Sequence, residues 1–359
     1  MSETTLSVVV AGGGTAGHIE PALAVADALR ARDEHVRITA LGTTRGLEVD
    51  LVPERGYELR TIPPVPVPRK PGPALATLPV KVLNSVRATI AVLKDVEADV
   101  LIGFGGYVSA PAYLAARRLG IPFFVHEANA RAGMANKLGV RLGGTGLNAV
   151  ADSGIAGDVV GVPIRSVHSQ NRSEHAQQEA RAEFGLDPHS PTLLVTGGSQ
   201  GARSLNRAVA EGLEQLRAGG VQVLHAYGKK NEAPEAGEGY VPLPYISEMN
   251  KAYAAADIIC CRAGAMTVAE VSASGTPAIY VPLPHGNGEQ GLNAQPVISA
   301  GGATLIADAE LTGHSLATQV LAILGDEQLY EAMVHATDQA GLGSAAEDIA
   351  ERIVRSARG

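Results

Sequence analysis

Short apolar runs alternate along this chain with stretches in which apolar residues recur every three or four positions. The first run, Val8 to Ala11, stops in Gly12, Gly13 and Gly14, then passes through Thr15-Ala16-Gly17-His18 into the helix-like IEPALAVADALRARD. HVRITALGT, YELRTIPPV, ADVLIGFGG and PFFVHEAN follow as strand candidates, with a helix predicted over Val108–Arg118. The pattern then restarts: TLLVTGG, QVLHAYG, YVPLPYI, DIICCRAG and PAIYVPLP alternate again with helices. In the helix after the second glycine pair, Leu205, Val209, Leu213 and Leu216 share one face. Short apolar strands separated by amphipathic helices predict an α/β fold whose parallel sheets carry helices on both faces.

The restart sets the domain plan. Residues 1–165 are expected to form a first Rossmann-like, doubly wound domain ending near Arg165, and residues 166–340 a second, with the polar SVHSQNRSEHAQQEAR as linker and exposed helix. Two such halves are expected to face each other across a cleft. Residues 341–359 form a closing helix, in which Ser344 and Glu347 have capping-box spacing and Ile349 with Ile353 makes an apolar stripe. That helix could pack back on the first domain.

Composition narrows the function classes. A chain of 359 residues, 45% hydrophobic and 18% charged, with 42 glycines and 21 prolines, fits two globular domains rich in tight turns. A net charge of −8 argues against a nucleic-acid partner, which calls for a basic excess. No apolar run is long enough to span a membrane, and MSETTLSVVV does not read as a secretory signal. Cys260 and Cys261 are neighbours in an apolar run, so neither a disulfide nor a zinc site is expected from them. One segment breaks the acidic balance. Between Arg60 and Lys94 the chain carries Arg60, Arg69, Lys70, Lys81, Arg87 and Lys94 and no acid, with Leu75, Leu78, Val80, Leu83 and Ile90 among them. It reads either as a contact with an anionic membrane surface or as a core helix with solvated basic residues.

The candidate chemistry lies in six motifs, each at the carboxyl end of a predicted strand, the edge where open α/β sheets bind ligands. They are GGGTAGH (12–18), GFGGYVSAP (103–111), HEANARAGMANK (126–137), GGSQGARSLN (197–206), CRAGAMTVAE (261–270) and HGNGEQGLNA (285–294). A strand ending in glycines and opening a helix offers N–H groups and a positive dipole end to a phosphate. Glu48 is too loosely placed after the second strand to serve as a dinucleotide-binding acid, which argues against a dehydrogenase.

In this order and over essentially the whole chain, the six motifs resemble the bacterial peptidoglycan N-acetylglucosaminyltransferases of GT-B architecture. The resemblance implies transfer of N-acetylglucosamine from UDP-N-acetylglucosamine to the undecaprenyl-diphosphate-linked muramoyl-pentapeptide, with inversion, at the cytoplasmic face of the cell membrane. It further implies a peripheral enzyme that could meet other cell-wall and division proteins. Gly197, Gly198 and Ser199 can give N–H groups and a hydroxyl to the diphosphate, and Glu270 can accept from both ribose hydroxyls. By similarity Ile246 pairs with uracil through its backbone, and Ala265, Met266, Thr267, Val268, Ala269 and Glu270 line the ribose and diphosphate. Asn129 and Gln290 are placed at the sugar hydroxyls, with Arg165 close by. Thr15, Ala16 and Gly17 would touch the donor.

On the acceptor side, His18 reads as the general base or as a phosphate contact, and Glu127 as a further acid–base group or a buttress of its loop. Gly105, Gly106 and Tyr107, in the loop from Gly103, are expected at the acceptor diphosphate. Two departures stand out: Glu289-Gln290 where the family commonly has two glutamines, and Ala16 where many members have glycine. No cofactor is expected, and no metal, because Asp-x-Asp motifs and ligand clusters are absent from the sequence. Competing readings are another GT-B UDP-sugar transferase, a UDP-N-acetylglucosamine 2-epimerase, and a non-catalytic nucleotide-sugar-binding scaffold.

Overall fold

The opening apolar run forms β1 (Ser7–Ala11), buried along its whole length, and the glycines after it release the chain into α1 (Ala16–Arg32). The computed structural model describes residues 5–65, 77–165, 173–198, 201–284, 288–340 and 345–358. After α1 come β2 (Arg37–Gly42), α2 (Glu48–Glu54), β3 (Glu58–Thr61), α3 (Leu78–Asp95), β4 (Val100–Gly103) and α4 (Ser109–Leu119). Then follow β5 (Phe123–Glu127), α5 (Met134–Arg141), β6 (Thr145–Asn148) and β7 (Asp158–Val159). These strands make one parallel sheet in the order β3-β2-β1-β4-β5-β6-β7. The direction of winding reverses between β1 and β4.

The second unit repeats the plan. It contains α6 (Glu174–Glu183), β8 (Thr192–Thr196), α7 (Arg203–Ala218), β9 (Gln222–Ala226), β10 (Tyr240–Leu243), α8 (Met249–Ala255) and β11 (Ile258–Cys261). The remainder is α9 (Ala265–Ala273), β12 (Ala278–Tyr280), α10 (Glu289–Ala300), β13 (Ala303–Leu305), α11 (Gly313–Gly325) and α12 (Glu327–Ala340). Its parallel sheet runs β10-β9-β8-β11-β12-β13, with the reversal between β8 and β11. Leu205, Val209 and Leu216 of α7 are fully buried and Leu213 packs beside them, the face expected from their spacing. Cys260 and Cys261 are buried, free thiols, and burial pushes Cys260 up to about 12.

The two compact units are residues 1–165 with 344–359, and residues 166–343. The last helix, α13 (Ala345–Arg358), therefore belongs with the first unit. Ile349 and Ile353 sit fully buried against Leu23, Val25 and Val8, each worth about 1.5–3 kcal/mol of hydrophobic burial. Arg32 adds a 3.2 Å ion pair with Glu351 at the edge of this contact. Ser344 lies outside the described residues.

In α3 the ridge Ser85–Thr89–Leu93 is buried, while Val86, Ile90 and Val92 pack partly beside α4. Val80 and Leu83 stay 60% and 48% exposed on the same helix as exposed Lys81, Arg87 and Lys94. Arg60 is paired with Glu58 and Asp95, so it does not belong to that exposed basic set. Arg69, Lys70 and Leu75 lie outside the described residues. Among the described residues, no helix is long and apolar enough to cross a membrane.

Candidate functional site

Each unit carries its chemistry at the carboxyl edge of its sheet, where the winding reverses. In the first unit that point joins the Gly12–Gly14 loop to the loop after β4. A Cβ at Gly106, whose φ is +79°, would stand 2.4 Å from the Gly13 carbonyl oxygen, so the two loops touch only because residue 106 is glycine. His18, in the first turn of α1, lies against this junction; a Cβ at Gly105 would come within 3.0 Å of its Cδ2. Its Nδ1 is 3.2 Å from Thr15 Oγ1.

Burial pulls the His18 pKa below its ordinary 6.5; the Glu127 charge, a hydrogen bond to the Gly13 backbone and the Glu48 charge pull it back only in part. The imidazole is neutral at pH 7 and can take a proton. Ala16 and Gly17 share its helical turn, and Gly17 and Thr15 are exposed.

Glu127 ends β5, buried. Its Oε1 accepts from Asn129 N (2.9 Å) and Nδ2 (3.1 Å), and its Oε2 from Gly133 N and Asn136 Nδ2 (both 2.9 Å). Four donors on two oxygens tie Glu127 into the loop that carries Asn129 and Gly133. Its alternating neighbour His126 points into the core and bonds the Gly161 carbonyl at 2.9 Å. In the loop after β4 the Gly105 N–H donates to Ser109 Oγ at 2.9 Å, whereas those of Gly106 and Tyr107 have no partner among the described residues. The Tyr107 ring is half exposed. Arg165 is the last residue of the first segment of this unit and is partly exposed.

The second unit has a cavity of about 890 Å³ at the corresponding edge. Gly197 and Gly198 after β8, the opening turn of α7, Gly264 and Thr267 of the α9 entrance, and Gln290 of α10 line it. The α7 N-cap, Ala202, gives no side-chain cap, so this long helix points an uncapped positive end at the cavity. Arg203, Arg207 and Arg262 line it too. Ser199 lies outside the described residues.

Arg262 is held from several sides. Its Nη1 reaches Asp308 Oδ1 at 2.6 Å and the Val281 carbonyl at 3.1 Å, and its Nη2 reaches Ser204 Oγ at 2.9 Å. Burial works to raise the Asp308 carboxyl, but the Ser204 hydrogen bond and the Arg262 guanidinium outweigh it and hold it below the usual range. Gln290 Oε1 accepts from Leu283 N at 2.9 Å, which leaves its amide nitrogen to turn toward a ligand.

Glu270 stands in the second turn of α9, where Tyr253 donates a 2.9 Å hydrogen bond to its Oε2. Burial and that carboxylate push the Tyr253 hydroxyl well above 10, so it remains a donor. Ala265, Met266, Thr267 and Ala269 are partly exposed around it. The Val268 side chain lies in the core and its N–H bonds the Gly264 carbonyl at 2.9 Å. Helical phase turns that position inward. Ile246, just after β10, likewise buries its side chain.

Sequence reasoning missed Ser204, Arg207 and Asp308. Ser204 and Arg207 stand inside and just after GGSQGARSLN, in the first and second turns of α7; Asp308 follows β13, a three-residue strand with no legible pattern. Among the described residues no group of His, Cys, Asp and Glu is placed to hold a metal ion.

Known proteins match this chain over its whole length. The glycosyltransferase family 28 N-terminal domain matches residues 8–143 and the family 28 C-terminal domain residues 192–353. A protein of Corynebacterium jeikeium is 61% identical over 99% of this chain and 98% of its own length. It is named UDP-N-acetylglucosamine--N-acetylmuramyl-(pentapeptide) pyrophosphoryl-undecaprenol N-acetylglucosamine transferase. A Nocardia farcinica protein of the same name is 56% identical over 99% of this chain and 97% of its own. The crystal structure of MurG from Acinetobacter baumannii superposes with a TM-score of 0.75 at 29% identity, covering 98% of this chain and 100% of that one. The calicheamicin glycosyltransferase CalG4 shares the fold at 18% identity, with a TM-score of 0.68 over 98% and 99% of the two chains.

Proposed function

We propose one reaction for this chain, which belongs to glycosyltransferase family 28: transfer of N-acetylglucosamine from UDP-N-acetylglucosamine to the undecaprenyl-diphosphate-linked N-acetylmuramoyl-pentapeptide. The observation that carries it is the 61% identity, end to end, with a relative named for that reaction.

The two glycine loops divide the work. On the second unit, Glu270 accepts from the ribose hydroxyls, and the backbone at Ile246 meets the uracil edge. The α7 N-terminus with Arg203, Arg207 and Arg262 receives the diphosphate. Gln290 serves the sugar on the second unit, and the resemblance gives Asn129 and Arg165 of the first unit a sugar role as well. On the first unit, neutral His18 takes the proton from the acceptor 4-hydroxyl as its oxygen bonds the anomeric carbon. The bond from that carbon to the diphosphate breaks, UDP leaves with the electron pair, and the new link is β-1,4 with inversion. Gly106 and Tyr107 hold the acceptor diphosphate, and Glu127 keeps the Asn129 loop in place. Charge on the departing UDP is met by arginines and helix N–H groups, so transfer proceeds without an added metal ion.

Exposed Val80 and Leu83, beside Lys81, Arg87 and Lys94, suit the interface of an anionic bilayer and make the enzyme peripheral on the cytoplasmic leaflet. The test is transfer of labelled N-acetylglucosamine from its UDP donor to a short-chain analogue of the lipid acceptor, with EDTA present. Labelled disaccharide-lipid, lost in Glu270→Ala and His18→Ala, is the expected result. Saturable donor binding without product points to another acceptor or to a scaffold, and neither product nor binding overturns the assignment.

A further inference from the structure

The first glycine loop is built around an acid that the reaction has not yet used. Glu48, the first residue of α2, is fully buried. Its Oε2 accepts the Gly14 N–H at 3.0 Å; its Oε1 accepts the Thr43 N–H at 2.7 Å and the Thr43 hydroxyl at 2.9 Å. The chain clears a socket for it. A Cβ at Gly13 would lie 2.8 Å from Oε1, one at Gly42 2.5 Å from Cγ, and one at Gly46 1.7 Å from Oε2. The carboxylate is turned inward, under the loop that precedes His18.

We infer that Glu48 is a positioning residue for the transfer. Its carboxylate clamps Gly14, fixes the loop that presents His18, and bars an anionic group from the Gly14 N–H. An acceptor diphosphate on this unit is thereby directed to the neighbouring N–H groups of Gly106 and Tyr107. The inference rests on the transferase reading for its kinetic consequence, but the clamp has a readout of its own. A buried carboxylate at a strand-to-helix turn also carries a purely structural alternative, in which its loss lowers stability and nothing else.

Glu48→Gln in the full chain separates the two. The amide keeps the volume, but it cannot accept from both Thr43 and Gly14, because one of its ends is a donor. Displacing a loop that sets a reacting group costs about 10²-fold. The expected result is a fall of that size in kcat, a KM for UDP-N-acetylglucosamine unchanged, and faster amide exchange in the peptide spanning Gly12 to Thr15. Unchanged kcat, a loss carried by the donor KM, or unaltered exchange at that peptide would each overturn the assignment. Should Glu48→Gln not fold, Thr43→Val loosens the same clamp by one hydrogen bond and carries the same signature at a several-fold smaller effect. If the wild-type chain forms no disaccharide-lipid, the transferase reading fails while the exchange experiment still decides whether Glu48 holds the loop.

Discussion

The glycine loops after β1 and β8 occupy the same place in two sheets of the same winding, yet their surroundings have opposite charge. Beneath the first lie Glu48 and, farther along the edge, Glu127, with a neutral histidine above them. Around the second stand Arg203, Arg207 and Arg262, with Asp308 spent on holding Arg262. Gly14 gives its N–H to a protein carboxylate; Gly198 gives its N–H to the Thr196 hydroxyl, at 3.3 Å, and sits on the rim of an open cavity. A glycine turn at a switch point is thus only a place. What surrounds it decides the charge it can meet.

The sharpest way to break this division is to remove the residue that defines each side. His18→Ala is expected to lower kcat by about 10²–10⁴-fold while donor binding, read by calorimetry with UDP, stays intact. Loss of UDP binding instead would move His18 to the donor side and dissolve the contrast. Glu270→Ala is the mirror experiment. Losing charge-assisted hydrogen bonds to the ribose, about 1.5–3 kcal/mol, should raise the donor KM about 10- to 100-fold, with kcat at saturating donor much less affected.

A smaller effect, confined to one side, comes from pH. Since burial lowers the His18 pKa, kcat should rise with pH through a midpoint below 6.5 and stay flat above it, while UDP affinity shows no such limb. Stability follows with a definite sign. Below pH 6.5 the unfolded chain takes a proton that folded His18 refuses, so this contribution is lost as pH falls and restored as it rises. A midpoint above 6.5 would mean that the Glu127 and Glu48 charges outweigh burial.

Much of the fold could be read from the sequence because its signals are local. The run Val8–Ala11 ending in glycines, and the Leu205–Leu216 spacing, each specify an element without help from the rest of the chain. Strands β6 and β13 could not, since TGLN and ATL gain their strand character only from pairing with β5 and β12. The site divides in the same way. His18, Glu270 and Gln290 stand beside glycine turns and are placed by them. Asp308 is 46 residues from Arg262, and Glu48 is 34 from Gly14, so their partners come from sheet order alone. Val268 shows what a motif leaves open: it marks a stretch of helix, and helical phase then decides which of its side chains face out.

The smallest expected effect on catalysis belongs to a surface outside both loops. Two apolar side chains on a helix whose buried ridge is Ser85, Thr89 and Leu93 gain nothing from the fold, because the core of this helix is elsewhere. If Val80 and Leu83 insert into a bilayer, replacing both by serine removes apolar burial worth at most about 1.5–3 kcal/mol per side chain, an upper bound of about 10²–10⁴-fold in partitioning to vesicles. Lys81→Gln with Arg87→Gln should weaken binding only to anionic vesicles, by about 1 kcal/mol per charge, and less as salt rises. Neither double variant should change kcat on a short-chain, water-soluble acceptor, because neither touches a glycine loop. A fall in that soluble reaction would tie α3 to the acceptor site itself, and the contrast between the two loops would have to be redrawn to include it.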